Sequence, residues 1–427
     1  MWGQASANRD AGPPAPLRLT TMRSRIAKRL PPDADKLVGL SLALVASGSR
    51  TEDRFWETRI DALLAKMLRN GSQTTLDAAL DHLQQNHPDA YAALADIAET
   101  HSESFIVSHE EQDWDVVLIA APVLAWTRYA IPSGPLKADT ADALRTHLHA
   151  HVLASGARVS MSPYLYSIDQ LPRHHVETFR LAQQLAQAAV NGTAPKLTFG
   201  DLPETSPILA DPRFLLAAVA APTGTALFRW QEDDAGVRIE RGQCLDQWSN
   251  QGGANLALVL PGCEIECLLP DAFYSACRDA DEKIRPHTVR TAVRYLADTL
   301  QAEPAELRAV IGGFGERHVD EFRIGFTRRG SNDVLYGVVW PLYGRENVDA
   351  DLGDHESAAE APLDAGPLDE LIALLKESGV TDVRQHAGRF EPEYCDDCGV
   401  PLYADPLGEI VHAEMPEDVQ PVQPHFH

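Results

Sequence analysis

Residues 115–122 read Asp-Val-Val-Leu-Ile-Ala-Ala-Pro, and residues 214–222 read Phe-Leu-Leu-Ala-Ala-Val-Ala-Ala-Pro. Each is a short, continuous apolar run, a pattern that is typical of strands buried on both faces of a sheet. The same Ala-Ala-Pro ending stands at 120–122 and again at 220–222. The two runs therefore predict a buried sheet in the middle of the chain and indicate that one pattern occurs twice.

The predicted elements that follow the two runs come in the same order. We therefore predict a tandem duplication of an α/β unit, with repeat 1 at 104–195 and repeat 2, which ends in a hairpin, at 196–346. The matched elements are helix 140–153 with helix 244–260, strand 158–166 with strand 263–270, and a helix opened by Arg173-His-His175 with one opened by Arg285-Pro-His287.

The remaining segments complete a predicted α+β fold. Residues 33–103 have apolar residues at helical spacing and predict a helical region. Residues 1–32 are a basic arm that we expect to be disordered, and residues 347–366 are an acidic linker without Lys or Arg. Residues 367–427 predict a helix followed by a small module of the zinc-knuckle type.

The composition disfavours several classes of function. The 427 residues carry a net charge of -25, whereas proteins that grip nucleic acid or anionic membranes rely on cationic side chains. The apolar run 37–46 is too short to cross a bilayer, which needs about 20 residues, and six cysteines are too few for a disulfide scaffold. We expect a reduced, cytoplasmic protein without a membrane partner. Nucleic-acid contact through the basic arm and the C-terminal zinc module stays open as a weaker alternative.

The clearest candidate site is Tyr-Cys-Asp-Asp-Cys-Gly-Val-Pro-Leu-Tyr at 394–403. Cys395 and Cys398 have the spacing of the two thiolates of a zinc knuckle, and Gly399 lets the backbone curl beneath them. No second cysteine pair accompanies them, and no strand–Cys-x-x-Cys–helix pattern surrounds them. A redox dithiol and two ordinary reduced cysteines therefore stay open as alternatives.

A histidine is predicted to meet this knuckle across a hairpin. Asp-Pro-Leu-Gly at 405–408 predicts a type I turn, and counting back from that turn pairs Pro401 with His412. A closed site of four ligands would be structural rather than catalytic, because catalysis needs an open position. The predicted ligands of this structural zinc ion are Cys395, Cys398, His412 and one tail histidine, His425 or His427.

A second candidate site rests on the repeated Arg-x-His pattern. Arginine and histidine at a helix N-terminus suit a carboxylate or a phosphate. If the two halves face each other, the four side chains would line one cleft. The candidate anion-binding residues are Arg173, His175, Arg285 and His287.

Four stretches of the chain resemble an uncharacterised beta-proteobacterial family, domain of unknown function 2863. They are Gly-Ser-Arg-Thr-Glu-Asp-Arg-Phe-Trp-Glu at 48–57, Asp-Gln-Leu-Pro-Arg-His-His-Val-Glu-Thr at 169–178, Gly-Val-Val-Trp-Pro-Leu-Tyr-Gly-Arg-Glu-Asn at 337–347, and Arg-Phe-Glu-Pro-Glu-Tyr-Cys-Asp-Asp-Cys-Gly-Val-Pro-Leu-Tyr at 389–403. The resemblance covers the chain from Met22 onward. It implies a cytoplasmic bacterial protein and brings no activity or catalytic residue.

Two functional hypotheses follow. The first is a non-enzymatic binding or regulatory protein, in which the zinc module docks onto a protein partner from a mobile tether. The second is an enzyme that acts on a small anionic metabolite in a cleft between the duplicated halves.

Overall fold

A computed structural model describes residues 29–200, 202–205, 208–232, 239–316, 318–342 and 366–416. Residues 1–28 of the predicted basic arm, residues 347–365 of the predicted acidic linker, and the tail histidines His425 and His427 lie outside them. Helices and sheets both contribute to the structure, which confirms the α+β class.

Four helices occupy residues 32–103, where the sequence predicts a helical region. They are α1 (Pro32–Val45), α2 (Arg50–Asn70), α3 (Gln73–Asn86) and α4 (Pro88–Glu103). Leu76, Ala79 and Leu83 of α3 are buried at a spacing of three and four residues, which places them on one face of that helix. The chain divides into two compact units: residues to 63 with 74–93 belong to one, and residues 64–73 with those from 94 onward to the other.

The second unit is built around an eight-stranded sheet. Its two long central strands contain the apolar runs 115–122 and 214–222, and they pair antiparallel from Trp114 opposite Pro222 to Trp126 opposite Ala210. The strands are β1 (Ser104–His109), β2 (Gln112–Trp126), β3 (Gly134–Pro135), β4 (Arg158–Met161), β5 (Tyr164–Ser167), β6 (Ala210–Pro222), β7 (Glu264–Cys267) and β8 (Asp271–Ala272).

Short strands that follow one central strand in sequence pair with the other central strand. Strands β7 and β8 pair with β2, and β4 and β5 pair with β6. Strands β1 and β2 form a hairpin, and β3 pairs with β5. All of these pairings are antiparallel, so the buried runs belong to an antiparallel sheet rather than to the parallel sheet in which such runs are most common.

Helices cover both faces of this sheet, which explains why its central strands are mostly apolar. On one face Val117 and Ile119 belong to the core with α5 (Ala138–His151) and α7 (Arg241–Val259). On the other face Leu118 and Ala120 belong to the core with α6 (His175–Asn191) and α8 (Phe273–Leu300). Because side chains alternate along a strand, nearly all residues of β2 from Val116 to Ala125 belong to one core or the other.

Helix α8 corrects one sequence prediction. Arg285-Pro-His287 was expected to open a helix, but it lies in the interior of α8. Pro286 has no N–H and leaves the carbonyl of Glu282 without its helical donor. Arg285 Nε donates to that carbonyl at 3.1 Å, so a side chain replaces the missing hydrogen bond.

A second sheet joins two segments that the sequence analysis separated. Its order is β11-β10-β9-β12, with β9 (Leu307–Phe314), β10 (Glu321–Arg328), β11 (Tyr336–Pro341) and β12 (Asp382–Phe390). Strand β12 pairs parallel with β9, and Leu371 and Leu375 of α9 (Pro367–Glu377) enter the core beneath the sheet. The sheet therefore draws strands from both 196–346 and 367–427.

Candidate metal centre

The two cysteines of the motif lie on a tight loop that follows β12. The Cys395 N–H donates to Val400 O at 2.9 Å, and the Gly399 N–H donates to Cys395 O at 2.8 Å. Gly399 has a φ of 73°, a conformation that favours glycine because a Cβ would be strained there. These contacts bring both thiols to the same side of the loop.

The hairpin that follows contributes the histidine. Gly408 N–H donates to Asp405 O at 3.1 Å and closes the predicted turn. The Asp405 carboxylate fixes it further, because one oxygen accepts from the N–H groups of Leu407 and Glu409, each at 2.8 Å. The two strands, β13 (Tyr403–Ala404) and β14 (Ile410–Val411), pair Tyr403 with Val411.

The pairing differs by one residue from the prediction. We predicted that Pro401 lies opposite His412. Because Tyr403 pairs with Val411, the observed register instead places Leu402 opposite His412. Pro401 instead forms a bridge with Tyr394 at the base of the knuckle. A register shift of one residue sends a side chain to the other face, yet the knuckle reaches His412 because its loop folds back toward the hairpin.

The three predicted ligands that the structure describes form one cluster. The ligand atoms of Cys395, Cys398 and His412 all lie within 4.8 Å of one another, and Cys398 Sγ is 3.3 Å from His412 Nε2. In tetrahedral zinc sites with ordinary bond lengths, neighbouring ligand atoms are about 3.5 Å apart. Two thiols and an imidazole at these distances fit such an ion, with one position left for a fourth ligand.

Local electrostatics favour ligand forms of these side chains. Hydrogen bonds from the backbone N–H groups of Cys398 and Asp397 lower the pKa of the Cys395 thiol, and the thiolate is the form that binds metals. A Glu414 carboxylate oxygen lies 3.3 Å from His412 Nδ1. Nε2, which lies 3.3 Å from Cys398 Sγ, is the ring nitrogen placed to bind a metal ion, and a carboxylate near the other nitrogen is placed to orient the ring.

A buried arginine fastens the knuckle to the second sheet. Arg323 of β10 is fully buried, and its Nη1 donates to the carbonyls of Glu393 at 2.7 Å and Leu402 at 2.8 Å. Its Nε donates to a Glu321 carboxylate oxygen at 2.6 Å. The guanidinium stacks over the rings of Phe314 and Tyr394, so both ends of the knuckle loop are held by one side chain.

The hairpin also packs directly on the sheet. A Cβ at Gly337 of β11 would lie 2.0 Å from the Tyr403 ring, so the absence of a side chain there makes room for that ring. A ring nitrogen of His386 in β12 is 2.7 Å from Asp405 O. The module is thus anchored on the sheet at its base, in contrast to the freely tethered docking element that we expected.

The first pair of anion-binding candidates stands at the start of α6, as predicted. Arg173 is exposed and lies 3.7 Å from Asp169, and its backbone N–H donates to Glu177 at 3.1 Å. His175 Nδ1 is 3.1 Å from the Tyr274 hydroxyl at the start of α8. Both side chains therefore have polar partners within the protein.

The second pair occupies a different place. Arg285 Nη1 donates to Pro341 O at 2.7 Å, and the His287 ring stacks on Trp126 with 3.9 Å between the ring centroids. Burial lowers the pKa of His287, which favours its neutral form. Arg285 lies eleven residues beyond Tyr274 on α8, about 16 Å along the helix axis. The two Arg-x-His pairs therefore do not converge on one cleft.

Sequence reasoning missed Arg323 and Glu414. Arg323 stands in an alternating strand, where nothing in the local pattern distinguishes a buried arginine from a solvated one. Glu414 follows His412 by two residues, which offered a weak signal, because carboxylates often orient metal-binding imidazoles.

The fold and the site define an α+β protein whose C-terminal hairpin holds a Cys2His cluster that could bind a metal ion. The chain belongs to the family described as "Protein of unknown function (DUF2863)", whose sequence model matches residues 22–426. No curated protein and no solved structure matches the chain. Among the helices of the described residues, none is long and apolar enough to cross a membrane.

Proposed function

We propose that this chain is a non-enzymatic binding or regulatory protein whose C-terminal hairpin is held together by a structural zinc ion. The observation that carries the proposal is the convergence of Cys395, Cys398 and His412 within 4.8 Å of one another. His425 or His427 would supply the fourth ligand. Zinc is favoured because it accepts mixed thiolate and imidazole ligands in a closed tetrahedral site.

Metal analysis of the purified protein tests the zinc proposal. We expect one zinc ion per chain, and loss of that ion in Cys395→Ser. Cys263→Ser is the matched control, because this partly exposed cysteine lies outside the cluster and should leave the zinc content unchanged. An equal zinc content in both variants, or none in wild-type protein prepared without chelators, contradicts the proposal.

The partner proposal rests on the exposed surface of the module. Among the described residues nine large apolar side chains are exposed, and three of them lie between positions 394 and 407: Tyr394, Val400 and Leu407. Leu407, at the tip of the turn, is 70% exposed. Three exposed apolar side chains within one short segment favour a protein–protein contact, so we propose a protein partner that covers this tip.

Capture experiments with matched variants test this contact. We expect a protein that is retained by the wild-type chain to be lost with Leu407→Asp and with deletion of 391–427. Leu258→Asp is the control, because Leu258 is similarly exposed on α7. The deletion begins after Phe390 because a cut at 366 would remove β12 from its sheet. Equal capture by all variants contradicts the proposal.

Two broader proposals accompany this one. A tandem duplication is supported by the exchange of strands between the halves: β4 and β5 of the first half pair with β6, and β7 and β8 of the second pair with β2. Thiolates that bind zinc must stay reduced, and this supports a location in the reducing cytoplasm.

A further inference from the structure

A cavity at the end of β2 contains groups that the metal centre does not use. It has a volume of about 280 Å³ and lies among the loop 127–129, the turn at Gly262 and the second half of α8. The loop and the turn are joined by a hydrogen bond, in which Thr127 Oγ1 donates to Gly262 O at 2.8 Å. The volume is near the lower limit of ligand sites, about 300 Å³, which favours a small ligand and excludes a dinucleotide.

Three aromatic rings line the cavity, and two of them are supported from behind. Trp126, Tyr129 and Tyr295 are each half-buried. His287 stacks on Trp126 at 3.9 Å, and Tyr336 contacts Tyr295 with 5.7 Å between the ring centroids. Rings that are fixed before a ligand arrives lose little conformational freedom on binding, so they favour a planar aromatic group between them.

Charged side chains of both signs line the cavity. Arg128 lies 3.9 Å from Asp298, and Arg294 lies 3.9 Å from Glu264. Neither pair is within hydrogen-bond distance. Arg128 Nε donates to the Tyr129 hydroxyl at 3.2 Å, and the remaining N–H groups of each guanidinium can still donate to a carboxylate. The two acidic side chains balance the two arginines in charge, so the cavity suits a ligand with a small net charge rather than one with several charges of the same sign.

A hydroxyl group in the cavity adds a polar contact. Thr299 lines the cavity, and its Oγ1 is buried without a hydrogen-bond partner among the described residues. Buried hydroxyls are normally paired, so a polar atom of a bound molecule or water would satisfy it. Aromatic walls, two arginines and this hydroxyl together specify a ring with one anionic group.

We propose that this cavity is a binding site for a small planar aromatic monoanion of the aromatic carboxylate class. The ring lies against Trp126 and Tyr295, and the carboxylate accepts hydrogen bonds from Arg128 and Arg294. The proposal is independent of the zinc ion, because the cavity lies on the central sheet and α8 and shares no residue with the metal cluster.

Calorimetric titration with 2-naphthoate tests the proposal. We expect saturable binding at one site per chain, and about tenfold weaker binding of 2-naphthylmethylammonium, which has the ring and the opposite charge. Cyclohexanecarboxylate, which has the charge without the aromatic ring, should bind about fivefold more weakly. No saturable binding of 2-naphthoate, or equal binding of the cation, overturns the proposal.

Variants of exposed arginines locate the binding site. Arg294→Gln should weaken 2-naphthoate binding about tenfold or more, because a hydrogen bond to a charged group is lost. Arg278→Gln is the matched control, because Arg278 is an exposed, ion-paired arginine on the same helix and lies outside the cavity. Arg294→Gln should keep the wild-type melting temperature, and Arg278→Gln, which breaks the ion pair with Glu99, should lower it only slightly. Equal affinities in the two variants overturn the proposed site.

Discussion

The central sheet and the C-terminal hairpin are held by different forces. Strands β2 and β6 pair along their length, and nearly all of their side chains are buried between two helical layers. Strands β13 and β14 have two residues each, and the turn that joins them exposes Leu407. Hydrophobic burial can stabilise the first region, whereas the second is too small to do so and depends on fixed polar contacts.

The polar contacts of the hairpin concentrate on a few side chains. Arg323 holds both ends of the knuckle, Asp405 closes the turn, and the Cys2His cluster joins the knuckle to β14. Small metal-binding modules gain folding energy from the ion rather than from a core. Changes to the sheet should therefore alter global stability, and changes to the hairpin should alter metal affinity and local order.

The largest effect on global stability is expected from Phe214→Ala in β6. Phe214 is fully buried against α6 and α8, and removal of a buried phenylalanine side chain costs about 3–5 kcal/mol through lost burial and a residual cavity. Urea denaturation followed by circular dichroism measures the loss. Ile106→Ala, at an exposed position of β1, should change the free energy of unfolding by about 0.5 kcal/mol or less. Similar losses in both variants would contradict the assigned core.

Arg323→Met should reduce stability by about 3 kcal/mol and also loosen the hairpin. The substitution keeps much of the side-chain length but leaves the carbonyls of Glu393 and Leu402 and the Glu321 carboxylate without their donor. Hydrogen exchange of residues 393–412 should accelerate more than that of β2. Arg384→Met, at a half-exposed position of β12, is the control. Unchanged exchange in the hairpin would show that Arg323 does not anchor it.

Glu103→Gln should stabilise the protein at pH 8 by about 2 kcal/mol. Burial raises the pKa of Glu103 to about 7 from an ordinary 4.5. The unfolded chain therefore loses this proton at lower pH than the folded chain does, and stability falls as pH rises from about 4.5 to 7. Glutamine removes that loss and can still accept the Tyr274 N–H, which donates to Glu103 at 2.9 Å.

Measurements of the free energy of unfolding at several pH values check the direction of this pH dependence. The wild type should lose stability between about pH 4.5 and 7 relative to Glu103→Gln, and the two should run parallel above that range. Glu99→Gln, one turn earlier on α4, is the control: it breaks the 2.7 Å ion pair with Arg278 and should slightly destabilise the protein. A variant less stable than wild type at pH 8 would contradict the assigned burial penalty.

The same contrast explains what the sequence could predict. The buried strands β2 and β6 and the amphipathic helices are encoded by local apolar patterns, and so is the spacing of Cys395 and Cys398. Strand β12 carries mostly polar side chains that are exposed or half-exposed, so no such pattern marked it. The hairpin register and the partners of Arg323 depend on contacts between segments distant in sequence, which local patterns do not encode.

The mistaken helix start at 285 has a similar cause. Proline is favoured in the first turn of a helix, so Arg285-Pro-His287 resembles a helix start. In the structure Arg285 compensates for the proline by donating to Glu282 O and Pro341 O. The compensation uses a strand of the second sheet, and that contact is invisible in the local sequence.

The smallest effect is expected from Glu414→Gln, which should lower zinc affinity by about tenfold without changing global stability. The Glu414 carboxylate lies 3.3 Å from His412 Nδ1, where it can orient the imidazole. Loss of such an orienting group typically costs about 10–100-fold in metal affinity, and the exposure of Glu414 places it at the lower end of that range. Competition with a chromophoric chelator measures the affinity.

Glu409→Gln is the matched control for this measurement. Glu409 is an acidic residue of the same hairpin, its backbone N–H donates to Asp405, and its carboxylate is not part of the cluster. A general effect of hairpin charge would weaken zinc binding equally in both variants, whereas orientation of His412 would weaken it only in Glu414→Gln. An unchanged free energy of unfolding in both would separate the forces that hold the hairpin from those that hold the sheet.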